Sequence, residues 1–179
     1  MSALSINDRY HDRQGGDYLV RDARAADADA LITLLDQVGR EEIFIADERA
    51  QLTAAQEAEI IQRRDPETGV ILVVEQNQEV VGSLEMIRGT FHKNRHTAIF
   101  GMALLPNSRG RGLGEGLLTS AERWARMVGV KKISLAVFAT NLAAIRLYQR
   151  LGYQEEGRRR GQYLLRDHLV DEIWMAHWL

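Results

Sequence analysis

The chain has no cysteine. That excludes disulfides, thiolate metal sites and a cysteine nucleophile, and with the last any ping-pong acyl route through sulfur. Charge of one sign is also missing: Lys and Arg total 23 against 25 Asp and Glu, a formal net charge of −2. Composition therefore gives no electrostatic case for nucleic acid or for an anionic membrane surface. No apolar run approaches the roughly 18 residues a membrane span needs. Residues 1–17 (MSALSINDRYHDRQGGD) lack an apolar segment of signal-peptide type. They read as a loosely held polar arm, and cytoplasmic is the expected address. There is no internal repeat, low-complexity tract or linker, so residues 18–179 are expected to form a single domain. What is there, 45% hydrophobic and 27% charged residues, is an ordinary globular composition.

Periodicity divides the chain. Residues 18–23 read as a strand. Asp27 or Asp29 is a candidate cap for a helix with Leu31, Leu34, Leu35 and Val38 at helical spacing. Thr53 opens a second helix carrying Ile60 and Ile61. Residues 65–69 make a turn around one of only two prolines. Residues 70–75 and 79–87 read as a hairpin, and residues 98–105, almost wholly apolar, as a central strand. A helix over 114–128, ended by Gly129, leads into a strand over 133–138 that the crossover makes parallel to its predecessor. Asn141 caps a shorter helix closed by Gly152. Residues 153–163 and 170–178 suit a closing antiparallel hairpin.

The richest stretch is Leu104-Leu105-Pro106-Asn107-Ser108-Arg109-Gly110-Arg111-Gly112-Leu113-Gly114. An apolar strand stops at proline, and a glycine-dense loop opens a helix. Helix N-termini present unsatisfied amides and a favourable dipole to anions, and glycines let a ligand approach the backbone. A nucleoside-triphosphate loop would need Lys then Ser or Thr after its last glycine, and Glu115 and Leu117 stand there. A dinucleotide loop would need glycines spaced one-three-six and a carboxylate ending the next strand. The sixth position is Glu115, and the next strand ends Val137-Phe138-Ala139.

What remains, Arg109-x-x-Gly112-x-Gly114, resembles the signature of the GNAT superfamily of acyl-CoA-dependent N-acetyltransferases. A second stretch, Asn141-Leu-Ala-Ala-Ile-Arg-Leu-Tyr148-Gln-Arg-Leu151-Gly152-Tyr153, is similar to that family's later helix motif. The resemblance implies an α+β fold: a mixed central sheet with helices on both faces and one splayed parallel strand pair. It implies acetyl-CoA as co-substrate and no metal. Amides of Arg109, Gly110, Arg111, Gly112, Leu113 and Gly114 would cradle the diphosphate. Met102, Ala103 and Leu104 would lie along the pantetheine arm. Asn141, Ile145 and Tyr148 would share one helix face, with Asn141 and Tyr148 touching the cofactor and Tyr148 acting as general acid.

The expected reaction is direct attack by a primary amine, on a small metabolite or a protein N-terminus; the alternative is a non-catalytic acyl-CoA sensor. Many relatives place a glutamate on the central strand, but residues 97–105 here contain no ionisable group. Glu85 on the preceding strand is the expected base, with Glu41, Glu42 and His96 as replacements. An α-amine, with a pKa near 8, needs only modest help from a base. His92 and His96 read as a polar turn, not a metal site, and Arg158, Arg159 and Arg160 as a solvated loop. Trp174 and Trp178 read as packing residues. A dimer is common in the family, and nothing in the residues shows one.

Overall fold

A computed structural model describes residues 4–41 and 52–179. Eight strands form one sheet in the order β1-β2-β3-β4-β5-β6-β8-β7. They are β1 (Asn7–His11), β2 (Asp17–Asp22), β3 (Gly69–Gln76), β4 (Glu79–Arg88), β5 (Thr97–Leu104), β6 (Lys132–Phe138), β7 (Gln154–Leu165) and β8 (His168–Trp178). The helices are α1 (Ala28–Gly39), α2 (Ala54–Arg63), α3 (Leu113–Met127) and α4 (Leu142–Arg150).

Alternation along β3 explains why both faces are covered. Val70, Leu72 and Val74 pack into the main core with Leu117, Leu118, Ala121 and Trp124 of α3. Ile71 and Val73 point the other way, to Leu31 of α1. A strand apolar at every position from Val70 to Val74 belongs between two layers. Farther along the second face, Leu34 and Val38 meet Ala103 of β5. Thr53 caps α2, accepting from the Gln56 amide. Asp27 stands at the start of α1 without capping it: its carboxylate instead takes both terminal nitrogens of buried Arg21 and the Arg24 amide.

Every pairing is antiparallel except β5 with β6, where three pairs form (Thr97 with Lys132, Ala98 with Ile133, Ile99 with Ser134) and then the strands part. That split positions the site. Two expectations need correction. The polar segment read as a loose arm contains β1, which pairs with β2 along its whole length; Tyr10 stacks on Tyr18 with ring centroids 5.3 Å apart. An edge strand needs one paired side and no continuous apolar face, so hydropathy does not betray it. Residues 158–160, read as a loop, belong to β7, with Arg158 and Arg159 paired to Asp171 and Glu172 of β8.

Candidate active site

Where β5 and β6 separate, a cavity of 510 Å³ opens between them. Its walls are residues 100–104 of β5, residues 135–138 of β6, the glycine loop and one side of α4. It reaches both faces of the sheet. Leu135, Val137 and Tyr148 belong to the α3 side, while Phe138 lies beside Glu172 of β8 on the other.

At one end stands the loop. Gly110 and Gly112 take φ of +74° and +94°, left-handed conformations that side chains disfavour. Gly112 precedes α3, and its carbonyl receives the Glu115 and Gly116 amides. Among the described residues, the amides of Gly110, Arg111, Gly112, Leu113 and Gly114 donate no backbone hydrogen bond. Four of those five residues line the cavity. A run of donors at a helix start is an anion cradle.

The loop's arginine side chains are engaged elsewhere. Arg109 grips the Glu41 carboxylate with both terminal nitrogens (2.8 and 2.5 Å) and donates through Nε to the Leu104 carbonyl. The guanidinium holds the Glu41 carboxyl below its ordinary range. Arg111 turns out of the cavity lining to pair with buried Asp12. Asp12 also accepts from Gln76 Nε2 and the Gln14 and Gly16 amides, and these bonds, Gln76 first, hold it well below the usual carboxylate range.

Met102, Ala103, Leu104, Asn141 and Tyr148 all line the cavity. Asn141 caps α4 through the Ala144 amide at 3.2 Å. The face of α4 that meets the cavity carries Ala144 and Leu147, not Ile145. Tyr148 is buried, edge-on to Phe100 at 5.9 Å. Burial pushes its phenol above the ordinary value, so it stays protonated at neutral pH. Glu85, the expected base, is outside the lining: it faces Gly101 across the β4–β5 pair, but its carboxylate is tied to Arg64 beyond α2. His96 is outside as well, and Glu42 lies outside the described residues.

Several lining residues were not foreseen. Glu172 is buried and accepts from Tyr163 Oη (2.9 Å), Trp174 Nε1 (2.7 Å) and Arg159 (3.1 Å). A carboxylate directly before the apolar run Ile173-Trp174-Met175-Ala176 was the signal that could have found it. Arg146 and Arg150 of α4 also line the cavity, as does Arg13 from the turn between β1 and β2.

A parallel pair splits beside an amide row that makes no backbone hydrogen bond among the described residues, and a protonated phenol lies inside. Residues 33–153 match the family described as Acetyltransferase (GNAT), and the chain belongs to that family. It is 33% identical over 78 residues to the uncharacterized N-acetyltransferase YycN of Bacillus subtilis (strain 168), a stretch covering 44% of this chain and 50% of that protein. The chain thus matches about half the length of that relative. The fold resembles a GNAT-family acetyltransferase of Streptococcus pneumoniae with a TM-score of 0.85 at 24% identity, over 90% of this chain and 99% of that one. It resembles yncA of Salmonella typhimurium, a putative acetyltransferase solved with acetyl-CoA, with a TM-score of 0.80 at 23% identity, over 89% and 92%.

Proposed function

We propose that the protein transfers an acetyl group from acetyl-CoA to a primary amine, on a small metabolite or a protein N-terminus, by direct attack. The observation that carries this reading is the row of unpaired amides from Gly110 to Gly114, opening on the split between β5 and β6. A diphosphate fits such a cradle, since charged acceptors make the strongest use of oriented donors. The pantetheine arm, an amide chain, would run beside residues 102–104, where β5 has lost its β6 partner. The binding of acetyl-CoA by the yncA protein, which shares the fold, supports this arrangement.

The thioester would then lie near Tyr148. The amine nitrogen attacks the carbonyl carbon, the C–S bond breaks, the departing thiolate takes the phenol proton, and the proton the nitrogen sheds passes through solvent to restore the phenol. Ordinary values of about 8.5 for a thiol and about 10 for a phenol make the transfer mildly uphill. Burial raises the phenol further, but the same apolar wall disfavours a thiolate, so the two shifts oppose each other. The acceptor would enter from the face bearing Glu172 and Tyr163, where the cavity offers a carboxylate away from the loop.

The absence of an ionisable group on β5 favours the second reading, a non-catalytic acyl-CoA sensor. Release of free thiol from acetyl-CoA, followed across a panel of amines, separates the two. Amine-dependent release establishes transfer. Ligand-induced thermal stabilisation without release on any amine establishes the sensor.

A further inference from the structure

We infer that the N-terminal hairpin forms part of the cofactor site, and that Arg13 at its turn supplies the cation for the diphosphate. The inference rests on the acetyl-CoA reading but concerns a residue outside the stretch that matches the family.

The need for a cation follows from where the loop's own arginines go. A diphosphate brings at least two negative charges to the start of α3, and the amides there carry only partial charges. Arg109 is committed to Glu41 and the Leu104 carbonyl, and Arg111 to Asp12. Arg13 comes to the loop from another element. Its amide donates to the Arg111 carbonyl at 2.8 Å, tying the turn to the loop. Its side-chain stem lies over Gly112: Cγ, Nε and Cδ stand 3.5, 3.6 and 3.9 Å from where a Cβ on that glycine would sit. The stem therefore lies in ordinary contact range of Gly112, beside the amides of the loop.

The guanidinium is poised and weakly held. Its one ion-pair partner among the described residues is Glu115, at 3.5 Å, with the two side chains 58% and 48% exposed. Such a pair contributes little, so an incoming phosphate can draw the guanidinium from it at small cost. The hairpin, by contrast, is firmly set. Asp12 has no exposed side-chain surface and ties the turn through Gln14, Gly16, Gln76 and Arg111. A turn tied down by Asp12 and carrying a weakly paired cation is well suited to hold a phosphate.

The test is calorimetric titration of the full chain, wild type against Arg13→Gln and Arg13→Lys, with three probes. These are coenzyme A, dephospho-coenzyme A (diphosphate, no 3′-phosphate) and pantetheine (no phosphate). Arg13→Gln should bind coenzyme A and dephospho-coenzyme A about tenfold more weakly, the effect of removing a single charge-assisted hydrogen bond. Pantetheine binding should not change, and Arg13→Lys should recover most of the affinity. An Arg13→Gln protein that binds coenzyme A within twofold of wild type overturns the inference. So does weakened binding of coenzyme A alongside unchanged binding of dephospho-coenzyme A, since Arg13 would then serve the 3′-phosphate. Failure of the wild type to bind either nucleotide would instead sink the acetyl-CoA reading itself.

Discussion

Replacing Gly112 by alanine isolates the backbone of the glycine loop. The added methyl would meet nothing closer than Arg13 Cγ at 3.5 Å, an ordinary contact, so the perturbation is conformational. At φ of +94° an L-residue is strained by about 1–2 kcal/mol. For a chain of this length each kcal/mol moves the melting temperature by about 2–4 °C, so a drop of about 2–8 °C is expected. If the loop relieves the strain by rotating, an amide turns away from the cavity. A hydrogen bond to a charged acceptor contributes about 1.5–3 kcal/mol, so coenzyme A affinity should fall by about 10- to 150-fold. Gly157→Ala is the control, since that glycine is not left-handed and has open space around it. Thermal melts and calorimetry on both variants give the comparison. A Gly112→Ala protein that melts with wild type and binds coenzyme A within twofold would refute the cradle.

Three further outcomes follow from the same packing. Tyr148→Phe keeps the ring against Phe100 and Tyr153, so melting and coenzyme A affinity should hold while kcat falls about 100-fold; thiol release at the wild-type rate would remove Tyr148 from the acid role. Gly116→Ala would press a methyl onto buried Tyr18, 3.0 Å from Cζ and 3.1 Å from Cε2. Overpacking of that kind costs about 1–3 kcal/mol, and an unchanged urea midpoint would contradict it. The third outcome concerns alkaline stability. Burial, more than the nearby charges, pushes the Tyr18 phenol up to about 12, and Tyr148 and Tyr153 shift the same way. The unfolded phenols release their protons first, near pH 10, so the native state then binds more protons and stability falls as pH rises from 10 toward 12. Tyr18→Phe should flatten part of that fall in urea midpoints measured from pH 9 to 11.5; an unaltered slope would exclude Tyr18 as its source.

Much of this architecture was legible because its signals are local. The all-apolar runs of β3 and β5, the Thr53 cap, the positive-φ glycines after α3 and α4, and the strand–loop–helix around Gly112 each lie within a dozen residues. Helix periodicity put Asn141, Ile145 and Tyr148 on one face of α4, and the family resemblance turned that face inward; Asn141 and Tyr148 line the cavity, with Ala144 and Leu147 in place of Ile145. A four-three spacing leaves a helix face uncertain by one position until its neighbour is known. The strand pairing of residues 7–11 had no hydropathy signature to read.

Residue order alone determined the glycine loop, because backbone conformation there depends on which positions lack a Cβ and where a strand gives way to a helix. Only the tertiary structure decided how the charges around that loop are spent. Arg109 meets Glu41 across 68 positions and Arg111 meets Asp12 across 99. Arg64 claims Glu85, and β8 enters between β6 and β7 to bring Glu172 to the cavity. Ion pairs act through space over a few ångströms, and no local pattern records which distant chain will arrive within that range.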